Sequence, residues 1–194
     1  VFDPAARDRA EEERIAQWVA HMEGALKGEG FVPFFQPIIH LTGDPEETYQ
    51  VLLRLTGPNG DIVSPSVFMG IAEEHGMMAR IDRWVLQRAI AAIAQRRRSG
   101  RNTRLFVKVT VESLQDPKLA AWIGANLKQA DVPAENLVLC LPESKAFTNL
   151  KAVQDLHAAL STMGCGLYLE QFGLGLNSFQ LLSHVPADYL GIDH

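Results

Sequence analysis

The sequence predicts an α/β fold built on a parallel sheet. From residue 49 onward, short apolar runs alternate with longer segments whose apolar residues recur at helical spacing, which is the pattern of strands joined by crossover helices. Glycine and proline separate many of these segments. No Gly-x-Gly-x-x-Gly motif follows the first strand, so the order favours a (β/α) barrel over a dinucleotide-binding fold.

The chain opens with a predicted helix. Asp3-Pro4 is a helix-start signal because proline is tolerated in a first turn, and the helical spacing of apolar residues continues to about Leu26. A strand is predicted over Phe31–Leu41, where two prolines indicate an edge or irregular strand because proline donates no hydrogen bond. We therefore interpret residues 1–194 as a single domain, with an N-terminal helix (1–30) and a barrel (31–194).

The alternation then begins. A second strand, Tyr49–Leu55, ends at Gly57-Pro58-Asn59-Gly60, a strong turn signal. Helices are predicted at Ser66–His75 and at Ile81–Arg98, the second of which ends in basic residues and a glycine. The apolar run Leu105–Val111 predicts the third strand.

The rest of the chain repeats this pattern. In order, it predicts helix Asp116–Ala130, strand Leu137–Leu141, helix Leu150–Met163, strand Cys165–Leu169, helix Ser178–Val185 and strand Tyr189–Ile192. A closed (β/α) barrel has eight strands over roughly 250 residues. Only about six strands are predicted here, so we expect the last two units of the barrel to lie outside this sequence.

Composition excludes several functional classes. The 194 residues are 47% hydrophobic and 21% charged, which is enough apolar material for a core. The net charge of −5 argues against a nonspecific nucleic-acid surface but allows one small anionic ligand in a basic pocket. No apolar run approaches the roughly 20 residues that span a bilayer. Cys140 and Cys165 lie in strand-like runs and are expected to be buried, reduced thiols of a cytoplasmic domain.

The segment Glu170-Gln171-Phe172-Gly173-Leu174-Gly175 is where the sequence places a site. It follows a predicted buried strand and precedes a short helix, and (β/α) barrels carry their active sites at the carboxyl ends of strands. The histidines show no metal-ligand spacing, so we predict no zinc site.

Seven separated blocks of the sequence resemble the EAL domain family. They are Phe35-Gln36-Pro37-Ile38, Gln50-Val51-Leu52-Leu53-Arg54, Val63-Ser64-Pro65, Ile81-Asp82-Arg83-Trp84-Val85-Leu86, Glu143-Ser144, Phe172-Gly173 and Leu190-Gly191-Ile192-Asp193. They occur in the family's order across about residues 10–194. The resemblance implies a TIM-like barrel of the EAL type that binds or hydrolyses cyclic di-GMP.

The same resemblance implies metal-binding positions, and several of them have changed. The Glu-Ala-Leu tripeptide of the family falls on Gln50-Val51-Leu52, and its paired aspartates fall on Glu170-Gln171. The strand asparagine falls on Thr110, two glutamates on Cys140 and Glu143, and the lysine on Gly191. Hydrolysis of a phosphodiester by two metal ions needs several anionic oxygens. The departures therefore predict a protein that is not an enzyme and requires no metal cofactor.

The resemblance also implies a set of nucleotide-binding positions. They are Gln36, Gln50, Leu52, Arg54, Asp82, Thr110, Glu143, Glu170, Phe172 and Gly173. Arg54 has a planar fork suited to phosphate or guanine, with a surface ion pair as the alternative. Phe172 offers a ring for stacking on guanine, with core packing as the alternative. Asp82 is either a polar contact or a helix cap.

Two basic features have competing interpretations. Lys108 shares a strand face with Thr110, and one hypothesis is that its ammonium reaches Glu143 or Glu170; the alternative is a lysine extended into solvent. The run Arg96-Arg97-Arg98 is better explained as a cation cluster at a helix C-terminus than as a nucleic-acid site.

The pattern of substitutions is similar to that of FimX-type receptors, in which a degenerate EAL domain senses cyclic di-GMP and recruits a PilZ-domain protein in type IV pilus control. This resemblance implies a catalytically inactive cyclic di-GMP receptor that relays binding to a protein partner, with a PilZ-domain protein as the candidate. Two alternatives stay open: a scaffold that no longer binds nucleotide, and an active phosphodiesterase with altered metal ligands.

Overall fold

The computed structural model describes residues 4–43 and 46–192. The described strands are β1 (Phe31–Ile38), β2 (Glu47–Thr56), β3 (Ile62–Val63), β4 (Thr103–Lys108), β5 (Leu137–Pro142), β6 (Gly166–Glu170) and β7 (Tyr189–Leu190). The described α-helices are α1 (Pro4–Lys27), α2 (Pro65–Glu74), α3 (Met78–Arg98), α4 (Val111–Leu114), α5 (Leu119–Ala130), α6 (Glu143–Thr148), α7 (Leu150–Met163) and α8 (Ser178–His184).

The strands form one sheet in the order β1-β2-β4-β5-β6-β7, with β3 paired to β2 beside this path. Pairing is parallel along β2-β4-β5-β6-β7, while β1 and β3 each run antiparallel to β2. Helices connect the parallel strands, as crossover connections require. The predicted α/β fold with a parallel sheet is confirmed. Over the described ranges the sheet is open, and β1, the strand with two prolines, is one of its edges.

The two faces of the sheet have different surroundings because side chains alternate along each strand. One face packs against the helices and forms the main core. On β2 this face carries Val51 and Leu55, and on β4 it carries Leu105 and Val107, all of which are at most 4% exposed.

The opposite face carries a smaller apolar cluster. Phe106, Val138 and Cys140 are buried there, and Tyr168 and Tyr189 pack against them. The Phe106 ring makes T-shaped contacts with both tyrosine rings, at centroid distances of 5.5 Å and 5.0 Å. The cluster supports the polar residues that lie further along these strands toward their carboxyl ends.

Helix α1 packs on the domain through its second half. Met22 and Ala25 are buried, whereas every side chain from Ala5 to Arg14 is exposed. Between residues 4 and 192, leaving out 44 and 45, none of the helices combines the length and the hydrophobicity that a bilayer crossing needs.

Most predicted elements lie where the sequence placed them, and α7 has the predicted bounds. The strand predicted over 105–111 ends earlier, at Lys108, because the chain turns at Thr110 to start α4. The strand predicted to reach Leu41 ends at Ile38, and the final strand ends at Leu190. The predicted Asp3 helix start and the Asp193 motif position lie outside the described residues.

Helix α5 also starts later than predicted. Asp116 was the expected first residue, but α5 begins at Leu119 and the Asp116 carboxylate instead accepts a hydrogen bond from the Lys118 N–H at 2.9 Å. The sequence did not predict β3, α4 or α6, because a strand of two residues shows no alternation and helices of four and six residues span less than two turns.

Candidate functional site

Polar side chains from several strands gather at one edge of the sheet. Arg54 lies near the end of β2, Lys108 ends β4, Glu143 follows β5 and Glu170 ends β6. Because parallel strands bring their carboxyl ends to the same edge, residues far apart in sequence meet here. This edge is the candidate site, and it includes the end of β6 at which the sequence placed one.

Glu170 is the centre of the site. It is 9% exposed, and both of its carboxylate oxygens have partners from other strands of the sheet, β2 and β4. The Gln50 amide donates to Oε1 at 3.0 Å, and the Lys108 ammonium lies 3.2 Å from Oε2. A buried carboxylate needs such partners, since burying an unpaired charge is costly. The hypothesis that Lys108 reaches Glu170 is confirmed, and the alternative of a lysine extended only into solvent is wrong.

A second acidic residue, Glu143, holds the glycine turn. It is the first residue of α6 and is 5% exposed. Its Oε2 accepts a hydrogen bond from the Gly173 N–H at 2.9 Å. Gly173 has φ +95°, in the left-handed region that glycine adopts without penalty. Gln171 also lies in that region, at φ +56°, which is uncommon for a residue with a side chain. Glu143 therefore fixes a turn of unusual backbone conformation.

Phe172 lies inside this turn rather than on its surface. Its side chain is 8% exposed and its ring meets the Phe179 ring edge to face, with centroids 5.9 Å apart. Its N–H donates to the Gly191 carbonyl at 2.7 Å, which ties the turn to the residue after β7. These contacts favour the packing interpretation of Phe172, and a stacking contact with guanine stays a prediction.

Asp82 and Thr110 are hydrogen-bonded to each other. Asp82 is 5% exposed, and its Oδ2 accepts hydrogen bonds from the Thr110 N–H, the Thr110 hydroxyl and the Ser113 hydroxyl at 2.8, 2.7 and 2.6 Å. Burial raises the pKa of the Asp82 carboxyl, and these three donors partly oppose that rise. Asp82 lies in the second turn of α3, which begins at Met78, so it does not cap that helix. It anchors the chain between β4 and α4.

Lys108, the last residue of β4, and Thr110, two residues later, have different partners. The Thr110 hydroxyl is used by Asp82, whereas Lys108 directs its ammonium to Glu170. Both residues line a cavity of about 390 Å³ whose floor includes Glu170 and Pro142. The sequence weighted Thr110 as a contact residue, but Lys108 is the β4 side chain that reaches the central carboxylate.

The remaining predicted residues form a surface on β1 and β2. Gln36 is opposite Gln50 in the antiparallel register, so their side chains lie on the same face, which Leu52 and Arg54 continue. The Arg54 guanidinium donates to the Leu53 carbonyl at 2.8 Å and lies over the Phe34 ring, 5.7 Å from its centroid.

Phe34 is a site residue that the sequence analysis missed. It is opposite Leu52 in the register and is 44% exposed, unusually open for an aromatic side chain. The available signal was its spacing: Phe34 precedes Gln36 by two residues on a predicted strand and must therefore share its face.

Tyr168 is the second residue that the sequence analysis missed, and its side chain explains why position 191 has a glycine. A Cβ atom added to Gly191 would lie 1.9 Å from the Tyr168 hydroxyl oxygen, so no side chain fits there unless the tyrosine moves. The Tyr168 phenol therefore occupies the space that a side chain at position 191 would need, and the family resemblance implies a lysine at that position. Tyr168 precedes Glu170 by two residues and lies on the same face of β6.

The donor set does not fit a pair of divalent cations. Gln50 turns its N–H toward Glu170, Gly191 has no side chain, and Glu170 and Glu143 already accept hydrogen bonds or an ammonium contact. Cys140 is fully buried, and burial raises the pKa of its thiol well above the ordinary value, so the thiol stays neutral. In the part of the chain that the structure describes, no group of three or more His, Cys, Asp or Glu side chains is placed to hold a metal ion.

Known proteins with similar structures include two FimX EAL domains bound to c-di-GMP. That of Xanthomonas citri is 46% identical, with a TM-score of 0.89 over 95% of this chain and 72% of that chain. That of Pseudomonas aeruginosa is 40% identical, with a TM-score of 0.85 over 91% of this chain and 71% of that chain.

Sequence comparison leads to the same family. The cyclic di-GMP phosphodiesterase PdeF of Escherichia coli K12 is 30% identical over 172 residues, which is 89% of this chain but 23% of that relative. This chain therefore spans about a quarter of the length of that curated protein. The model of the EAL domain matches residues 19–194. The chain belongs to the EAL domain family.

Proposed function

We propose that this domain is a receptor that binds cyclic di-GMP without hydrolysing it. The observation that carries the proposal is the state of Glu170, whose two oxygens are occupied by Gln50 and Lys108. A carboxylate whose charge is offset by an ammonium, beside a neutral amide rather than a second carboxylate, is a poor site for a divalent cation. Support for the ligand comes from the two FimX EAL domains bound to c-di-GMP at 46% and 40% identity.

The chemistry of the ligand matches the surface on β1 and β2. Cyclic di-GMP has two guanine bases and two anionic phosphodiesters. Arg54 offers a fork for a phosphate or for the O6/N7 edge of guanine, and the neighbouring Phe34 ring offers a stacking face. Gln36 and Gln50 add amide groups beside them, and Leu52 adds apolar surface.

The other predicted contact residues act in support of this surface. Glu143 fixes the turn at Gly173, and Asp82 fixes Thr110 at the entrance to α4. In this proposal these side chains hold the cleft in shape, and the bound nucleotide meets the turn and the end of β4 that they position.

Hydrolysis by the family mechanism is opposed by the number of free anionic oxygens. Two metal ions that activate water on a phosphodiester need several carboxylates. Of the carboxylate positions that the family resemblance implies, Glu143 and Glu170 remain, and each already has a protein partner. The proposed receptor therefore needs no cofactor. We expect it to bind cyclic di-GMP after divalent metal has been removed.

Calorimetric titration with cyclic di-GMP tests the proposal. We expect saturable binding that EDTA does not change, and no linear dinucleotide by chromatography after incubation with Mg²⁺ or Mn²⁺. Arg54→Ala should weaken binding by about 1–3 kcal/mol, the range for a hydrogen bond to a charged group, while the exposed control Arg98→Ala should bind normally. Accumulation of linear product would favour an active phosphodiesterase, and absence of heat at all concentrations would favour a scaffold.

The proposal extends to a protein partner. Four large apolar side chains beside the glycine turn are more than half exposed, and we call them the turn patch: Phe147, Leu174, Leu176 and Phe179. Exposed apolar clusters of this kind are typical of protein interaction sites. The resemblance to FimX-type receptors gives a PilZ-domain protein in type IV pilus control as the candidate partner. Titration of a purified PilZ-domain protein with and without nucleotide tests this relay.

The proposed location is the cytoplasm. Cys140 and Cys165 are both free and buried, and free thiols persist in reducing compartments.

A further inference from the structure

We propose that the Lys108 ammonium takes the electrostatic place of a metal ion in this site: it binds a phosphate of the nucleotide directly, with Glu170 as its fixed counterion. The inference rests on the proposed function, because it names the group that makes metal-free binding possible. It assigns a ligand contact to a residue that lies outside the predicted contact set.

The position of Lys108 is fixed by the sheet. It is the last residue of β4 and is opposite Cys140 of β5, which in turn is opposite Tyr168 of β6. Glu170 lies one alternation further along β6, so the ammonium crosses β5 to reach it at 3.2 Å. Because Lys108 is paired in the sheet, the backbone fixes the direction in which its side chain leaves the strand.

The ion pair is asymmetric in exposure. The Glu170 side chain is 12% exposed, whereas the Lys108 side chain is 58% exposed. The anion is therefore buried behind the cation when the pair is seen from the cleft. An ammonium has three N–H donors, so one contact with Glu170 leaves N–H groups that can donate hydrogen bonds to a phosphate oxygen.

The charges around the cavity need such a cation. The acidic side chains Glu73, Glu112 and Glu170 line it, and an anionic phosphodiester entering here meets unfavourable charge. Among the described residues that line this cavity, the cationic side chains are Lys108 and Lys145. Lys108 is the one in contact with the buried carboxylate, so it places positive charge between carboxylate and phosphate, as a metal ion would.

Affinity measurements in EDTA separate this role from a structural one. If Lys108 binds phosphate, Lys108→Met should weaken cyclic di-GMP binding at least tenfold, while Lys108→Arg should stay within about threefold of the parent. The matched control is Lys145→Met, which removes the other lysine of the cavity and should leave affinity unchanged. Thermal unfolding of each variant confirms that it is folded.

A charge-neutral change of the counterion provides the sharper test. Glu170→Gln keeps an acceptor for Gln50 but releases the ammonium and removes a negative charge from the cleft. We expect tighter binding than that of the parent, so Lys108→Met and Glu170→Gln should change affinity in opposite directions. If both variants are folded and weaken binding equally, the pair is a structural brace and the inference is wrong.

The outcomes also separate this inference from the proposed function. A parent domain that binds no cyclic di-GMP contradicts both. A parent that binds in EDTA, together with a folded Lys108→Met variant of unchanged affinity, contradicts the role of Lys108 alone.

Discussion

Adding a single methyl group at residue 191 should destabilise this domain. A Cβ atom there would lie 1.9 Å from the Tyr168 hydroxyl oxygen and 2.6 and 2.8 Å from two carbons of its ring. The glycine cannot shift to relieve the overlap, because its N–H donates to the Leu169 carbonyl at 2.8 Å and its carbonyl accepts from the Phe172 N–H at 2.7 Å. The tyrosine ring must therefore move.

The magnitude follows from what the ring would lose. Tyr168 packs edge to face on Phe106 at a centroid distance of 5.5 Å, a contact worth roughly 0.5–1.5 kcal/mol. Overpacking of a filled region costs about 1–3 kcal/mol, and a glycine-to-alanine change returns about 0.4–1 kcal/mol through the unfolded chain. We expect Gly191→Ala to lower the free energy of unfolding by about 2 kcal/mol.

Urea unfolding of a double-mutant cycle measures this effect. Tyr168→Ala costs stability alone, but in the Gly191→Ala background it also removes the overlap, so the two changes should couple by about 2 kcal/mol. Gly70→Ala is the matched control, because its added Cβ meets open space on α2 and should stabilise by about 0.5–1 kcal/mol. A Gly191→Ala protein as stable as its parent, with additive changes in the cycle, would refute the reasoning.

Two further predictions concern the buried acids. Burial raises the native pKa of Asp82 above its ordinary value of 3.8, so its contribution to stability is complete below that pH and is lost as pH rises through the native pKa. The stability advantage of the parent over Asp82→Asn should therefore shrink as pH rises above about 4 in urea titrations; an advantage that grows would contradict this. Glu143→Ala removes the acceptor of the Gly173 N–H, and we expect faster hydrogen exchange at that amide and a loss of about 1–2 kcal/mol in nucleotide binding. Unchanged exchange would show that the turn does not depend on Glu143.

The fold was largely predictable because its signals are local. Helix α7 ends at Gly164, which has φ +95°, and the periodic apolar residues before it gave the correct bounds. The strands of the parallel sheet are continuous apolar runs, as buried strands must be. The errors lie where a contact between residues distant in sequence determines the end of an element. Strand β4 ends at Lys108 because Asp82 of α3 accepts a hydrogen bond from the Thr110 N–H.

The site was predictable in location but not in its pairing. Glycine after a buried strand marked the turn at Gly173, yet nothing in the sequence shows that Glu143, thirty residues earlier, holds its N–H. The orientation of Lys108 was open between a carboxylate of the site and solvent, because the long side chain of a lysine can extend either way. Registers across β4, β5 and β6 settle such questions, and register is a property of the folded sheet.

The side chains at these cleft positions compensate one another in charge and in volume. Gln50 and Lys108 together satisfy a carboxylate that would otherwise be buried and unpaired, and Tyr168 fills the space beside a glycine that has no side chain. Each replacement offsets the charge or volume left by another. Restoring one family residue alone therefore works against its neighbours: a glutamate at position 50 would oppose the nearby Glu170 oxygen with a like charge, and a lysine at position 191 would meet the phenol. Under the proposed function, this arrangement suits a ligand that carries its own negative charge, because Lys108 would supply the positive charge that the ligand needs.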